Sequence, residues 1–326
     1  MSKAAISLVL NGKARQHGIS EQLEQRILEF CREINYRPNI HAQRMNRRRV
    51  NNIGILLQER VHPEESTPLG DYNVSHIIGG VALAADQAGC RFMVQIFRQG
   101  MDESRVFDWF ENREIDGLIY YGFGMPGHWL ERFKNEKRKV VGVSIDPAHG
   151  VPCVNVDNFG GSLAVAEHLI WQGRRKMLYL SGNPESYPGQ ERLRGFRAAM
   201  ERHGLGGCGE CENANYDAGL AENIVRRRFA AGVAFDAVVC GNDDMAVGAL
   251  NALRSLNIAV PGLVAVAGAD NTRVGRFVTP ALTSFDYRTE EQGRAAFELL
   301  RRIINEPSPQ VENIILDTEL IVRAST

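Results

Sequence analysis

The sequence predicts an α/β protein in two parts, a short helical headpiece over residues 1–50 and a bilobed, doubly wound core over 51–326. Three observations carry this expectation. The first 50 residues hold ten Lys and Arg against four acids, net +6, while the remainder is net −7. Helical spacing with cap and stop residues runs through this basic segment, whereas from Ile53 onward short apolar runs alternate with amphipathic stretches to the end of the chain. Such alternation implies parallel sheets covered on both faces. About 270 residues of it exceed one small sheet, so two similar lobes are expected.

Composition narrows the function classes. The 326 residues are 44% hydrophobic and 24% charged, as in ordinary globular proteins. There is no run of about 18 apolar residues to span a bilayer, and the start lacks a basic region leading into an apolar stretch and cleavage site. A cytoplasmic location without a membrane partner is expected. Six scattered cysteines do not resemble a secreted disulfide framework and fit a reducing compartment. Cys208 and Cys211 have metal or redox spacing, but no second such pair or nearby His pair completes four tetrahedral ligands, so neither metal nor cofactor is expected.

Within the headpiece, residues 2–11 read as a helix capped by Ser2 and stopped by Gly12, with Ile6, Val9 and Leu10 on its apolar face. Ser20 caps a second helix through Leu23, Ile27, Cys31 and Ile34, which ends near Tyr36 because Pro38 disfavours helix at Arg37. Residues 39–47 are polar apart from Ile40, Ala42 and Met45 and form a helix only conditionally. They lead into a linker at 47–52. Two short helices bury little, so a headpiece of this size requires a third helix or a partner. A basic arm on an acidic body points to a polyanionic partner.

In the core, the first strands are expected at Ile53–Leu57, Phe92–Phe97, Gly117–Tyr121 and Val140–Ile145, with helices at His76–Ala88, Val106–Asn112 and Trp129–Asn135. The second series has strands at Met177–Ser181, Ala237–Cys240 and Val264–Ala267 among helices at Leu163–Trp171, Leu193–His203, Ala218–Ala230 and Met245–Leu256, with a last helix at Gln292–Ile304. The break between lobes falls near Cys153–Asp157, giving a first lobe of about 51–155 with part of 285–326 and a second of about 156–284. Ligands of such a body lie in the crevice at the carboxyl ends of the strands.

Several segments together resemble the LacI/GalR type of transcriptional regulator. They are Ser2–Lys13, Tyr36-Arg37-Pro38-Asn39, Ala42 and Met45, then Val156–Gly161, Glu191–Phe196, Cys240–Ala246 and Val322–Ser325, in family order across nearly the whole chain. The resemblance implies a helix-turn-helix headpiece, truncated at its start, and a periplasmic-binding-protein-like core. It implies a homodimeric repressor whose helix from Ser2 enters the major groove of pseudo-palindromic operator DNA. Lys3, Ala4 and Leu8 take positions facing base edges, Ser7 and Asn11 those of backbone contact or capping, and Asn39, Ala42 and Met45 those of the hinge. Leu8 offers only an apolar contact, such as to a thymine methyl. Met45 stands where the family has a leucine wedged into the minor groove, and its flexible side chain suits the same task. Met1 falls where the family has Val before Ser, so the expected true start lies upstream, with a valine codon read as initiator; a headpiece beginning here is expected to be unstable.

The same resemblance places a small effector between the lobes, held by Asn73 and Val74 from the first and by Arg192, Tyr216, Asn242 and Asp270 from the second. A guanidinium, a carboxylate and amides suit a hydroxyl-rich ligand, and an aromatic covers an apolar ring face. Sugars and nucleoside-like molecules both fit. Asn73 and Val74 replace a frequent aromatic pair, which leaves the ligand class open, as are induction and corepression. Two other readings compete. Residues 122–127 match GxGxxG after a strand, with Asp146 about 20 residues on, as an NAD-binding oxidoreductase requires. Against this, the motif lies in a later strand–helix unit and Pro126 removes an amide donor. A stand-alone sugar-binding protein shares the bilobed body but not the basic headpiece. No nucleophilic triad, zinc motif or P-loop is evident, and no enzymatic activity is expected.

Overall fold

The computed structural model describes residues 3–10, 12–34, 36, 49–59, 68–98, 100–122, 125–207, 209–306 and 312–326. The chain divides into two compact units, Met1–Val50 and Asn51–Thr326. In the first, α1 (Lys3–Leu10) and α2 (Glu21–Glu33) are joined by a short turn at Arg15–His17. Gly12 stops α1 in the left-handed conformation, φ +67°, donating its N–H to the Val9 carbonyl. The Ser20 hydroxyl accepts the Leu23 N–H at 3.4 Å and so caps α2.

The headpiece core consists of Val9, Ala14, Ile27 and Cys31, with Ala5, Ile6 and Leu10 packed against it. The shared face of Ile6, Val9 and Leu10 is therefore as expected. Leu23 and Ile34, which helical spacing assigns to the apolar face of α2, are instead 38% and 53% exposed. α1 has only eight residues and covers the middle of the stripe around Ile27 and Cys31, leaving its ends open. Ser2, Pro38 and the conditional helix at 39–47 lie outside the described residues.

The core unit opens with β1 (Asn52–Gln58), α3 (Tyr72–Gln87), β2 (Arg91–Phe97), α4 (Ser104–Glu111), β3 (Gly117–Tyr121), α5 (Gly127–Asn135), β4 (Val140–Val143) and β5 (Cys153–Val156). It continues through α6 (Asn158–Trp171), β6 (Met177–Ser181), α7 (Tyr187–Arg202), β7 (Gly209–Asn213), α8 (Ala218–Ala230), β8 (Ala237–Cys240), α9 (Asp243–Ser255) and β9 (Ala265–Ala267). The closing elements are α10 (Arg273–Phe277), β10 (Ser284–Phe285), α11 (Thr289–Asn305), β11 (Asn313–Leu316) and β12 (Leu320–Ile321). None of the described helices is long and apolar enough to cross a membrane.

Two parallel sheets result, ordered β11-β5-β4-β3-β1-β2 and β7-β6-β8-β9. Alternation along β1 shows why both faces are covered. Ile53, Ile55 and Leu57 join α3 and α11 in one core, while Leu56 joins Phe107, Trp129 and Phe133 of α4 and α5 in another. The second sheet is clad likewise, by α6 and α7 on one side and α8 and α9 on the other. The chain passes between the lobes after β5, again after β10, which sends α11 and β11 back to the first sheet, and finally after β11, when β12 pairs antiparallel with β10. β7 has no counterpart among the sequence expectations. Its residues Gly-Glu-Cys-Glu-Asn lie largely exposed at a sheet edge, where neither face demands apolar side chains. Cys211 sits in this strand, exposed, and Cys208 lies outside the described residues.

The returning α11 packs on α3 backbone to backbone. A Cβ added at Gly80 would stand 2.1 Å from the Glu290 carbonyl oxygen, whereas one at neighbouring Gly79 would meet nothing within 4 Å. Gly80→Ala should therefore force the helices apart and cost about 1–3 kcal/mol, while Gly79→Ala, relieving a helix-interior glycine, should gain roughly 0.5–1 kcal/mol. Urea midpoints of the two variants check this; shifts of the same sign would contradict the packing described.

Candidate functional site

The carboxyl ends of both sheets face one cleft. Gln58 ends β1, Tyr121 and Gly122 end β3, Ser144 follows β4, and Asn73 lies in the first turn of α3. The second lobe supplies Arg192 from α7, Tyr216, Asn242 before α9, and Asp270 after β9.

At its base is a buried ion pair. Arg192 Nη2 donates to Asp270 Oδ1 at 2.7 Å, with both side chains under 5% exposed. Its Nε donates to Asn158 Oδ1 at 2.7 Å, its Nη1 donates to the Gly241 carbonyl, and its charge lies 4.6 Å from the Tyr287 ring centroid. Burial opposes the guanidinium charge, but Asp270 and the surrounding groups more than offset it, and the group stays charged. Burial pushes the Asp270 carboxyl above the usual carboxylate range, against the pull of Arg192 and Asn73. Asn73 Nδ2 donates to Asp270 Oδ2 at 2.9 Å, joining the two lobes.

Of the six residues expected around the effector, five line the cleft: Asn73, Arg192, Tyr216, Asn242 and Asp270. Val74 does not. Asp71 caps α3 by accepting the Val74 N–H at 3.0 Å, and that helical phase turns Val74 into the first-lobe core, 1% exposed. Asn242 uses its Oδ1 to cap α9, accepting from Met245 N–H at 2.9 Å. The Tyr216 hydroxyl donates to Ser186 Oγ at 3.2 Å, and its ring lies so close to Gly182 that an added Cβ would be 2.0 Å away.

Sequence reasoning missed three parts of this site. Tyr287, in the crossing between β10 and α11, meets Ser144 of the first lobe at 2.9 Å between hydroxyls, and Gln292 supports both through bonds of 3.1 and 2.7 Å. Tyr287 has no local signal, since only the fold sets it over Arg192. Asn158 was legible, standing inside the Val156–Gly161 segment that carries the resemblance. So was Asp243, beside Asn242; it is fully buried and accepts from Thr272 N–H and Oγ1 at 2.6 and 2.9 Å and from Ser284 Oγ at 2.7 Å.

Of the headpiece positions expected at the DNA, Lys3, Ala4, Ser7 and Leu8 fall within α1. Leu8 is partly buried. The side chains of Lys3, Ala4 and Ser7, and all of Asn11, Asn39, Ala42 and Met45, lie outside the description. In the GxGxxG segment, Gly122 has φ +114°, residues 123 and 124 are outside the description, and α5 starts at Gly127 without a side-chain cap. Asp146 accepts the Ala148 N–H at 2.8 Å, capping the short turn at 147–149.

Burial, then the charge of Asp270, pushes the Asp243 carboxyl up to about 7. The folded chain therefore holds a proton that the unfolded chain releases near pH 4, so this group's stabilisation is present at low pH and is lost as pH rises through 7. Urea unfolding followed by tryptophan fluorescence should show stability falling by about 1 kcal/mol per unit between pH 5.5 and 7. The slope should flatten in Asp243→Asn, and an equally steep slope in that variant would refute the assignment.

Residues 166–326 match the family model described as a periplasmic binding protein-like domain. Along its whole length the chain is 26% identical to the HTH-type transcriptional regulator CelR of Thermobifida fusca, covering 95% of that protein. It is 27% identical to the ribose operon repressor of Escherichia coli K12, covering 96%. In structure it matches the lac repressor dimer bound to operator and an anti-inducer with a TM-score of 0.86 at 20% identity, over 100% of this chain and 95% of that one. A CelR–cellobiose complex matches with a TM-score of 0.75 at 23% identity, over 100% and 96%. These relatives are named as regulators rather than enzymes. With a helical headpiece and a bilobed core both present, the chain is similar along its whole length to transcriptional regulators of this HTH type.

Proposed function

We propose that this chain acts as a homodimeric repressor that reads a pseudo-palindromic operator through α1 and is controlled by a small, sugar-like effector in the interlobe cleft. The observation that carries the reading is the Asn73–Asp270 hydrogen bond, which ties the lobes together directly at the Arg192 ion pair. A ligand taking over either partner interacts differently with open and closed lobes, which is the condition for an effector to shift a conformational equilibrium. Arg192 has five N–H donors, of which three are committed within the protein, so two remain for ligand hydroxyls. Tyr216 supplies a ring face for the apolar side of a sugar. A solved CelR structure holds cellobiose, and that of an Enterococcus faecium relative holds ribose, which supports testing carbohydrates first.

Fluorescence anisotropy on DNA flanking the protein's own gene, with and without these sugars, tests the gating. An effector should change operator affinity by about 5- to 150-fold, a rise marking a corepressor and a fall an inducer. A sugar that binds the chain yet leaves operator affinity unchanged would exclude this mechanism. Asp270→Ala leaves Arg192 unpaired and should cost about 3–5 kcal/mol of core stability in a urea titration.

A further inference from the structure

Two buried side-chain oxygens on the first-lobe wall of the cleft accept no hydrogen bond from any described residue, Gln58 Oε1 and Asn73 Oδ1. Asn73 commits its nitrogen to Asp270, so its amide orientation is set and the carbonyl is the group left over. Gln58 closes β1 beside Gly122, where φ is +114° and an added Cβ would stand 3.0 Å from Gln58 Cβ and 3.2 Å from Oε1. A side chain at 122 would displace the Gln58 amide, so the glycine keeps that oxygen at the wall. Buried polar atoms are nearly always paired, and an unmet acceptor costs stability. Two of them on one wall of the interlobe cleft point to groups that arrive with the ligand.

We infer that Gln58 is a specificity-determining residue of the cleft, which with Asn73 Oδ1 accepts hydrogen bonds from two O–H or N–H groups on the ligand, selecting a neutral polyol or amino sugar over an acid sugar presenting phosphate or carboxylate oxygens there. The inference rests on reading the cleft as the effector site and names the chemistry of its first-lobe face. An anionic oxygen against the Asn73 carbonyl sets acceptor against acceptor, with neither able to donate, and at Gln58 it is met only if the amide turns its NH2 inward, which Gln58→Glu rules out; such buried mismatches are rejected far more strongly than differences in apolar fit.

The test is calorimetric titration of the full chain with ribose, glucose, cellobiose, glucosamine, glucuronate and glucose 6-phosphate, repeated with Gln58→Leu and Gln58→Glu. A neutral or amino sugar should bind. Gln58→Leu, of similar volume but without the oxygen, should weaken it roughly tenfold while leaving the unliganded melting temperature unchanged or raised, the opposite of what a structural residue would show. Gln58→Glu keeps the acceptor and removes any donor, so it should hold the same sugar to within about threefold. Tightest binding of an acid sugar, undiminished binding by Gln58→Leu, or loss in Gln58→Glu equal to that in Gln58→Leu overturns the inference while the effector reading stands. Failure of the unaltered chain to bind any of the six overturns the sugar-effector reading and this inference with it.

Discussion

The buried pairing of Arg192 with Asp270 is the interaction around which the cleft is organised. Removing a guanidinium and a carboxylate from water costs several kcal/mol per ion, and their mutual attraction offsets this only when the remaining polar valences are also met. Here they are met from several directions at once: Asn158 at the start of α6, the Gly241 carbonyl before α9, and Asn73 from the other lobe. The rings of Phe285 and Tyr287 lie beside the guanidinium as well. Asp270 itself sits at φ +103°, a conformation unfavourable for a residue with a side chain. Its N–H bonds the Phe285 carbonyl at 3.0 Å and its carboxylate bonds Arg192, so the surroundings hold it there.

That arrangement converts local electrostatics into a relation between lobes. Each lobe has its own parallel sheet and its own pair of hydrophobic cores. Tyr287 lies in one of the connections between the lobes. It touches Ser144 of the first lobe and the Arg192 guanidinium of the second, so the ion pair, the crossing strand and the cleft wall form a continuous set of contacts. The glycine contacts that seat α11 on α3 keep the first-lobe side of this set rigid, because helices meeting backbone to backbone have little room to slide.

The same polar crowding explains the two kinds of buried group found near the cleft. Asp243 receives three hydrogen bonds, yet desolvation and the neighbouring Asp270 still favour its protonated form. Gln58 and Asn73 retain oxygens that no described residue satisfies. The Gln58 and Asn73 oxygens lie on the cleft wall, where proteins tolerate such costs, while Asn52, Tyr120, Asn155 and Arg174 hold further unpaired buried atoms away from it.

By itself the sequence determined the charge split between headpiece and body, the caps at Ser20 and Gly12, the alternation of strand and helix, and the segments that carry the resemblance. These properties rest on nearest neighbours and short periodicities, and they survive without knowledge of the fold. It also brought Asn73, Arg192, Tyr216, Asn242 and Asp270 into one proposed site, through the resemblance. Only the tertiary structure decided that Val74 points into the core, that Leu23 and Ile34 stay exposed, and that the polar segment Gly209–Asn213 is an edge strand. It alone set Tyr287 and Ser144 beside Arg192 and left the Gln58 oxygen unpaired. Burial and hydrogen-bond satisfaction depend on which distant segments meet, and residues 73 and 270 become neighbours only when two lobes close on one another.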